Sequence, residues 1–179
     1  FMSETRAQRM ARTRGWQVRE ISARGWRRVV ASPRPLEVLE LPSIRLLAAA
    51  GTVVIAGGGG GVPVVREGET SRGVAAVIDK DLLSSLIARE LGAELLVIAT
   101  DVDGVAIRYG TTERSWLTRL TAAEATAYLA AGEFPPGSMG PKVSAAVEFV
   151  AATGGRAVIT SLDRIVDAWR GRAGTEIVT

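Results

Sequence analysis

The sequence predicts an α/β fold with a largely parallel sheet covered on both faces. Two observations carry this. Short apolar runs rich in β-branched residues, "TVVIA" (52–56) and "LLVIA" (95–99), have the pattern of strands buried on both faces. Segments of helical periodicity, several of them ended by glycine, alternate with such runs, as a sheet covered by crossover helices requires. With 179 residues, 47% apolar and 23% charged, the chain suffices for one well-packed domain or part of a larger one.

Taken in order, residues 3–14 predict a basic helix that stops at Gly15. "WQVREI" and "WRRVVAS" predict two strands joined as a hairpin through Ala23, Arg24 and Gly25. Pro42 suits a first helical turn, and "SIRLLAAA" then runs to Gly51. "TVVIA" follows as a buried strand. "RGVAAVI" leads into a strong helix whose Leu82, Leu83, Leu86, Ile87 and Leu91 share one face before Gly92. "ELLVIAT" predicts a second buried strand and "TAAEATAYLAAG" a helix. A helix over "VSAAVEFVAATG" starts just after Pro141, and strand "RAVIT", helix "DRIVDAWRG" and terminal strand "GTEIVT" complete the chain. There is no internal repeat, low-complexity tract or linker.

Composition excludes several chemistries. Without cysteine there are no disulfides, iron–sulfur ligands or thiol nucleophiles, which fits a reducing cytoplasm. Without histidine there is no histidine triad, histidine base or ordinary zinc site. No apolar run is long enough to span a bilayer, and no basic region precedes an apolar one as in a secretory signal, so no membrane partner is expected. Residues 1–34 hold nine arginines against Glu4 and Glu20, and the remainder is net acidic. That basic arm suits a solvated face. A nucleic-acid surface is the alternative, but no recognition motif accompanies the charge, and no nucleic-acid partner is expected. Of 22 basic residues only Lys80 and Lys142 are lysine, a choice that asks for an explanation.

Three segments fall where ligands of open α/β sheets gather, beyond the carboxyl ends of strands. "GGGGG" (57–61) gives up side-chain packing and costs backbone entropy. It either brings backbone N–H groups against an anion or makes a turn, for which one or two glycines would do. It is neither a Walker A loop, lacking Gly-Lys-Ser/Thr, nor a dinucleotide fingerprint, since Val62 and Pro63 interrupt it. "TDVDGV" (100–105) lacks the later ligands of a calcium loop. It reads as a ligand-edge turn with Gly104 at positive φ, or as plain turn chemistry. "PPGSMGPK" (135–142) is a flexible loop that places Lys142 in a first helical turn, where the positive helix end disfavours a cation unless an anion binds there. A solvated lysine is the plainer reading.

At "GGGGGVPVV", "GVAAVIDKDL", "LLVIATDVDGV" with "RYG", and "PPGSMGPKVSAAVEF", the sequence resembles the carbamate kinases of the amino-acid kinase superfamily. The early "GWQVREISARGWRRVVASPRP" and the closing "AVITSLDRIVDAWRGRAGTEI" fit as well, although the family usually has tyrosine where Trp26 stands and proline where Ala31 stands. The resemblance implies a three-layer α/β/α sandwich with a mainly parallel sheet, the amino-acid kinase fold, with its N-terminal part missing. That part carries a glycine–asparagine phosphate loop and a further lysine in the family. Residues 1–36 would then be a basic helix and hairpin segment, and 37–179 the nucleotide-binding C-terminal portion.

The implied reaction is reversible phosphoryl transfer between ATP and carbamate, giving ADP and carbamoyl phosphate, with Mg2+ accompanying the nucleotide and a place in arginine catabolism. Implied partners are the small-molecule substrate, a second copy in a homodimer and the missing N-terminal half. By the same resemblance Lys80 and Asp81 match a catalytic pair, Lys142 matches a lysine that reaches the phosphates, and Asp81 would accept hydrogen bonds from both lysines and hold them in place. Thr100, Asp101, Val102, Tyr109, Met139, Gly140 and Pro141 match nucleotide-side positions. Gly58, Gly59 and Gly60 match the loop on the substrate and phosphate side. No metal ligand is assigned. A sister kinase acting on another small acid or a nucleoside monophosphate, and a non-catalytic nucleotide-binding fragment, are the rival readings.

Overall fold

The computed structural model describes residues 1–21 and 24–179. The chain divides into two compact units, residues 1–33 with 62–78, and residues 34–61 with 79–179. In the smaller unit, helix α1 (Glu4–Arg14) begins at Ser3, whose hydroxyl accepts the Arg6 N–H, and ends at Gly15 with φ of 64°. Strands β1 (Val18–Glu20) and β2 (Trp26–Arg28) pair antiparallel, as the predicted hairpin requires. Two of its connecting residues, Ser22 and Ala23, lie outside the described residues. A second hairpin, β3 (Val64–Glu67) with β4 (Thr70–Gly73), has no counterpart in the sequence-based expectation.

The larger unit starts with α2 (Leu41–Ala49), which carries Pro42 in its first turn. It continues with α3 (Lys80–Leu91), β5 (Leu95–Thr100) and the short strands β6 (Val105–Ile107), β7 (Ser115–Leu117) and β8 (Arg119–Thr121). Helices α4 (Ala122–Ala130) and α5 (Met139–Thr153), strand β9 (Arg156–Ser161), a 3-10 turn at Leu162–Arg164, helix α6 (Ile165–Trp169) and strand β10 (Thr175–Val178) complete it. The main sheet has the order β5-β9-β10-β8. β5 and β9 run parallel, as do β10 and β8, while β9 and β10 are antiparallel. Mixed α/β content is therefore present, with two of the three pairings in the main sheet parallel and the two-stranded sheets antiparallel.

β9 explains why the core sits where it does. Alternate residues of a strand face opposite sides of the sheet. Ala157 and Ile159 enter the cluster with Val143, Ala146, Phe149 and Val150 of α5, all fully buried. Val158, on the other face, is buried too, and α6 packs against β9 and β5. A strand apolar on both faces is thus covered on both faces.

One predicted strand is absent. Residues 52–56 join no sheet, and Val53 and Ile55 are 90% and 97% exposed. The run has the composition of a buried strand, but burial needs a neighbouring strand and a covering layer. Among the described residues neither is supplied to it. The helix expected after Pro141 also begins earlier, at Met139, with Pro141 as its third residue.

Candidate active site

The amino end of α3 presents three charged residues in a row, and each does something different. Asp79 is the N-cap: its carboxylate accepts the N–H groups of Asp81 at 2.8 Å and Leu82 at 3.1 Å. Lys80, the first helical residue, leaves its side chain 57% exposed. Asp81 turns inward instead. Its Oδ2 accepts a hydrogen bond from Lys142 Nζ at 2.8 Å and lies 3.7 Å from Lys80 Nζ.

The Asp81–Lys142 pair is buried, each side chain about 10% exposed. A lysine near a positive helix end needs a counter-charge, and the structure supplies the one expected, Asp81, 61 positions away in the chain. The distance is set by helix packing. One turn beyond Asp81, Ser85 donates its hydroxyl to the Ala145 carbonyl at 2.8 Å, with both residues fully buried. Small side chains at Ser85, Ala145 and Ala146 let α3 and α5 approach closely, and the pair lies one turn away along the same seam.

The glycine loop rests on the same helix. A Cβ on Gly57 would lie 2.8 Å from Leu83 Cδ2, so this approach excludes any other residue without movement. Gly57, Gly58, Gly60 and Gly61 all have positive φ, which accounts for the glycine run as a backbone demand. The Gly58 N–H donates to the Ala56 carbonyl and the Gly60 N–H to the Gly57 carbonyl. Among the described residues, the amide of exposed Gly59 finds no backbone acceptor.

Beside Lys142 opens a cavity of about 190 Å³. It gathers Thr100, Asp101, Val102, Tyr109, Met139 and Lys142 from the expected set. Gly140 and Pro141 do not line it. Gly140 is buried, its N–H donates to the Pro135 carbonyl, and a Cβ there would lie 3.1 Å from that oxygen, so it shapes the wall from behind. Thr100 donates its hydroxyl to Asp101 at 3.1 Å. Tyr109 stands at the rim, edge-on to Trp116, with the Arg114 guanidinium 5.9 Å from its ring. Arg108, at φ of 51°, aims the backbone there, and its N–H is held by Glu133 at 2.9 Å.

Gly104 departs from expectation: its φ is not positive. Glycine is needed because a Cβ would lie 2.7 Å from Thr175 Oγ1. That hydroxyl is fully engaged, accepting the Val105 N–H at 2.7 Å and donating to the Leu117 carbonyl. Strand β10 thereby pins the loop that forms the cavity wall. Sequence reasoning also missed Phe134 and Ser138 as lining residues and Arg114 at the rim, since no local pattern marks them. A larger cleft, about 430 Å³, includes Gly104, Trp116, Arg172 and Glu176. It holds neither lysine, and its Arg172 and Glu176 are already paired with Asp167 and Arg156. The smaller cavity is therefore the one lined by Lys142.

The profile of the amino acid kinase family matches residues 2–161. A carbamate kinase of Thermococcus kodakarensis is 49% identical over 99% of this chain and 56% of its own length. A crystal structure from Aeropyrum pernix K1 superposes with a TM-score of 0.92 at 47% identity, covering 98% of this chain and 57% of the other. Carbamate kinase from Giardia lamblia bound to AMP-PNP gives a TM-score of 0.90 at 45% identity, covering 99% and 57%. The chain thus spans a little over half the length of the relatives it matches.

Proposed function

This chain belongs to the amino acid kinase family, and we propose on that premise that it supplies the nucleotide-binding portion of a carbamate kinase. The observation that carries this reading is the Asp81-bridged lysine pair, of which Lys142 lines the 190 Å³ cavity. The proposed reaction moves the terminal phosphoryl group of ATP to a carbamate oxygen. A new phosphorus–oxygen bond forms as the bond to the β-phosphate oxygen breaks, giving ADP and carbamoyl phosphate. Carbamate is already an anionic nucleophile, so the absence of histidine removes nothing the reaction needs.

What remains is positioning and charge neutralisation. Apolar Val102, Ala106, Phe134 and Met139 suit the base of a nucleotide, and the cavity volume suits part of it, leaving the phosphates outside near Lys142. In this reading Lys142 and Lys80 meet the β- and γ-phosphates, and Asp81 holds both ammonium groups in place. The Gly59 amide is available to an anion from the other loop. Among the described residues no group of three acidic side chains forms a metal cage. Mg2+ would come bound to nucleotide oxygens, keeping much of its water shell, and neutralise phosphate charge there. The broader assignments, a place in arginine catabolism and a homodimer, belong to the same proposal and rest on the resemblance.

The test has two steps. Mg-ATP or ADP at 100 times its Kd should stabilise the chain by about 2.7 kcal/mol, read as a rise in melting temperature. ADP and carbamoyl phosphate should then yield ATP once the rest of the kinase domain is supplied. A nucleotide that leaves the melting temperature unchanged would contradict the site. A second reading, nucleotide binding without turnover by this chain alone, is favoured by its span of 56% of a relative's length. Stabilisation with no ATP formed by the isolated chain is its signature.

A further inference from the structure

We propose that the larger cleft, about 430 Å³, is a second ligand site for a small monocarboxylate with a flat apolar body, and that its occupancy alters nucleotide affinity in the smaller cavity. The coupling, though not the site, rests on the reading above that the smaller cavity takes the nucleotide. Every lining residue of the cleft falls between Asp103 and Glu176 and within the larger compact unit. Its walls are therefore this chain's own, set around β10 rather than at the β5 edge of the sheet.

The charges of the cleft are unevenly answered. Asp103 accepts the Ser161 hydroxyl at 2.7 Å. Glu176 pairs with Arg156 at 3.3 Å, and Arg172 with Asp167 at 3.1 Å. Arg164 is half-buried in the wall, and among the described residues its guanidinium has no hydrogen-bond or ion-pair partner. A second polar group next to the cleft is unanswered too. Thr160 shares a face of β9 with Val158, a lining residue, and is fully buried with its hydroxyl unbonded. A Cβ on Gly174 would lie 2.8 Å from Val158 Cγ1 and 3.0 Å from Thr160 Cβ, so glycine is needed for the wall to pack against both. A half-buried charge and a buried hydroxyl without partners carry a cost that a bound polar group offsets.

The walls select the ligand. One unpaired guanidinium suits one carboxylate, which it can meet with two parallel hydrogen bonds. Asp103 and Glu176 would repel the second charge of a phosphate monoester. Trp116, Leu117, Val158 and Ala173 offer apolar surface, and the indole is 45% exposed and so open to stacking. The volume is that of a small-molecule site. The cleft also shares structure with the smaller cavity. Gly104 lines both, and the loop that puts Asp103 in the cleft puts Asp101 and Val102 in the nucleotide cavity. Trp116 lines the cleft, while Tyr109, its ring partner at 6.3 Å, lines the other. A ligand that shifts the 101–104 loop or turns Trp116 therefore changes the walls around the nucleotide.

Benzoate is the probe, with neutral benzamide and dianionic phenyl phosphate as controls, and saturation-transfer NMR on the chain is the measurement. Benzoate should bind saturably and both controls about tenfold more weakly or worse. Arg164→Gln should weaken benzoate by about tenfold or more. Ala173→Leu, which fills the cleft without removing a charge, should do the same and decides the matter if the first variant does not fold. Benzoate binding that neither variant changes is adventitious and overturns the proposal, and tighter binding of phenyl phosphate overturns the ligand class. Saturating benzoate should then shift the Kd for ADP by about fivefold or more. That shift should vanish in Arg164→Gln. A shift that persists there is competition in the smaller cavity and overturns the coupling, as does an ADP affinity that benzoate leaves unchanged. An absence of ADP binding overturns the nucleotide reading, and the coupling with it, while benzoate binding still decides the site.

Discussion

Asp81 holds the site together at the scale of single residues. It neutralises a buried lysine and lies within reach of an exposed one, so its removal separates structural from chemical roles. Asp81→Asn leaves the Lys142 ammonium buried without a counter-charge, and the loss in a urea titration should be about 3–5 kcal/mol. Adding Lys142→Met to that variant should recover most of it, since a neutral, similarly shaped pair has no such penalty. Lys142→Ala in the assembled enzyme should lower kcat by about 10²–10³. Lys142→Arg should not restore it, because a planar fork cannot follow the phosphoryl group as a compact ammonium can. The rarity of lysine made both cations legible in the sequence. The carboxylate between them was legible from the resemblance as the acceptor for both lysines; its burial with Lys142 was not, because that depends on how α3 and α5 pack.

Among the elements, α4 has the clearest sequence signature and a pH dependence of its own. Thr121 and Glu124 form a capping box, in which the Glu124 carboxylate accepts both the N–H and the hydroxyl of Thr121 at 2.8 Å. Chiefly the backbone bond, and then the hydroxyl, holds the Glu124 carboxyl below its ordinary pKa. A carboxyl lowered in the folded state stabilises above its unfolded pKa and loses that contribution as pH falls through the folded value. Glu124→Gln should therefore be less stable than the parent near neutrality, and the difference should close in acid titration below the ordinary carboxylate range. Helices with capping residues and terminal glycines were legible because those signals are local. The three-residue strands β6, β7 and β8 were not, since so few residues carry no period and their pairing is decided by distant strands. Thr175 is a case in point: its hydroxyl positions Val105 from 70 residues away.

For the molecule as a whole, alternation of apolar strands and amphipathic helices was enough to predict a mainly parallel, two-sided sheet. It could not predict which strand would lack a neighbour. "TVVIA" and "LLVIA" are nearly interchangeable as composition, yet the second is paired in the main sheet and the first joins no sheet among the described residues. The difference lies in what surrounds them, which no property of the five residues encodes. The strand order of the main sheet also constrains biosynthesis. β10 is the last of its four strands to leave the ribosome, yet it lies between β9 and β8. Until it arrives, β8 has no partner in that sheet and one edge of β9 stands open, so the sheet is completed from the middle and only after synthesis has passed Val178.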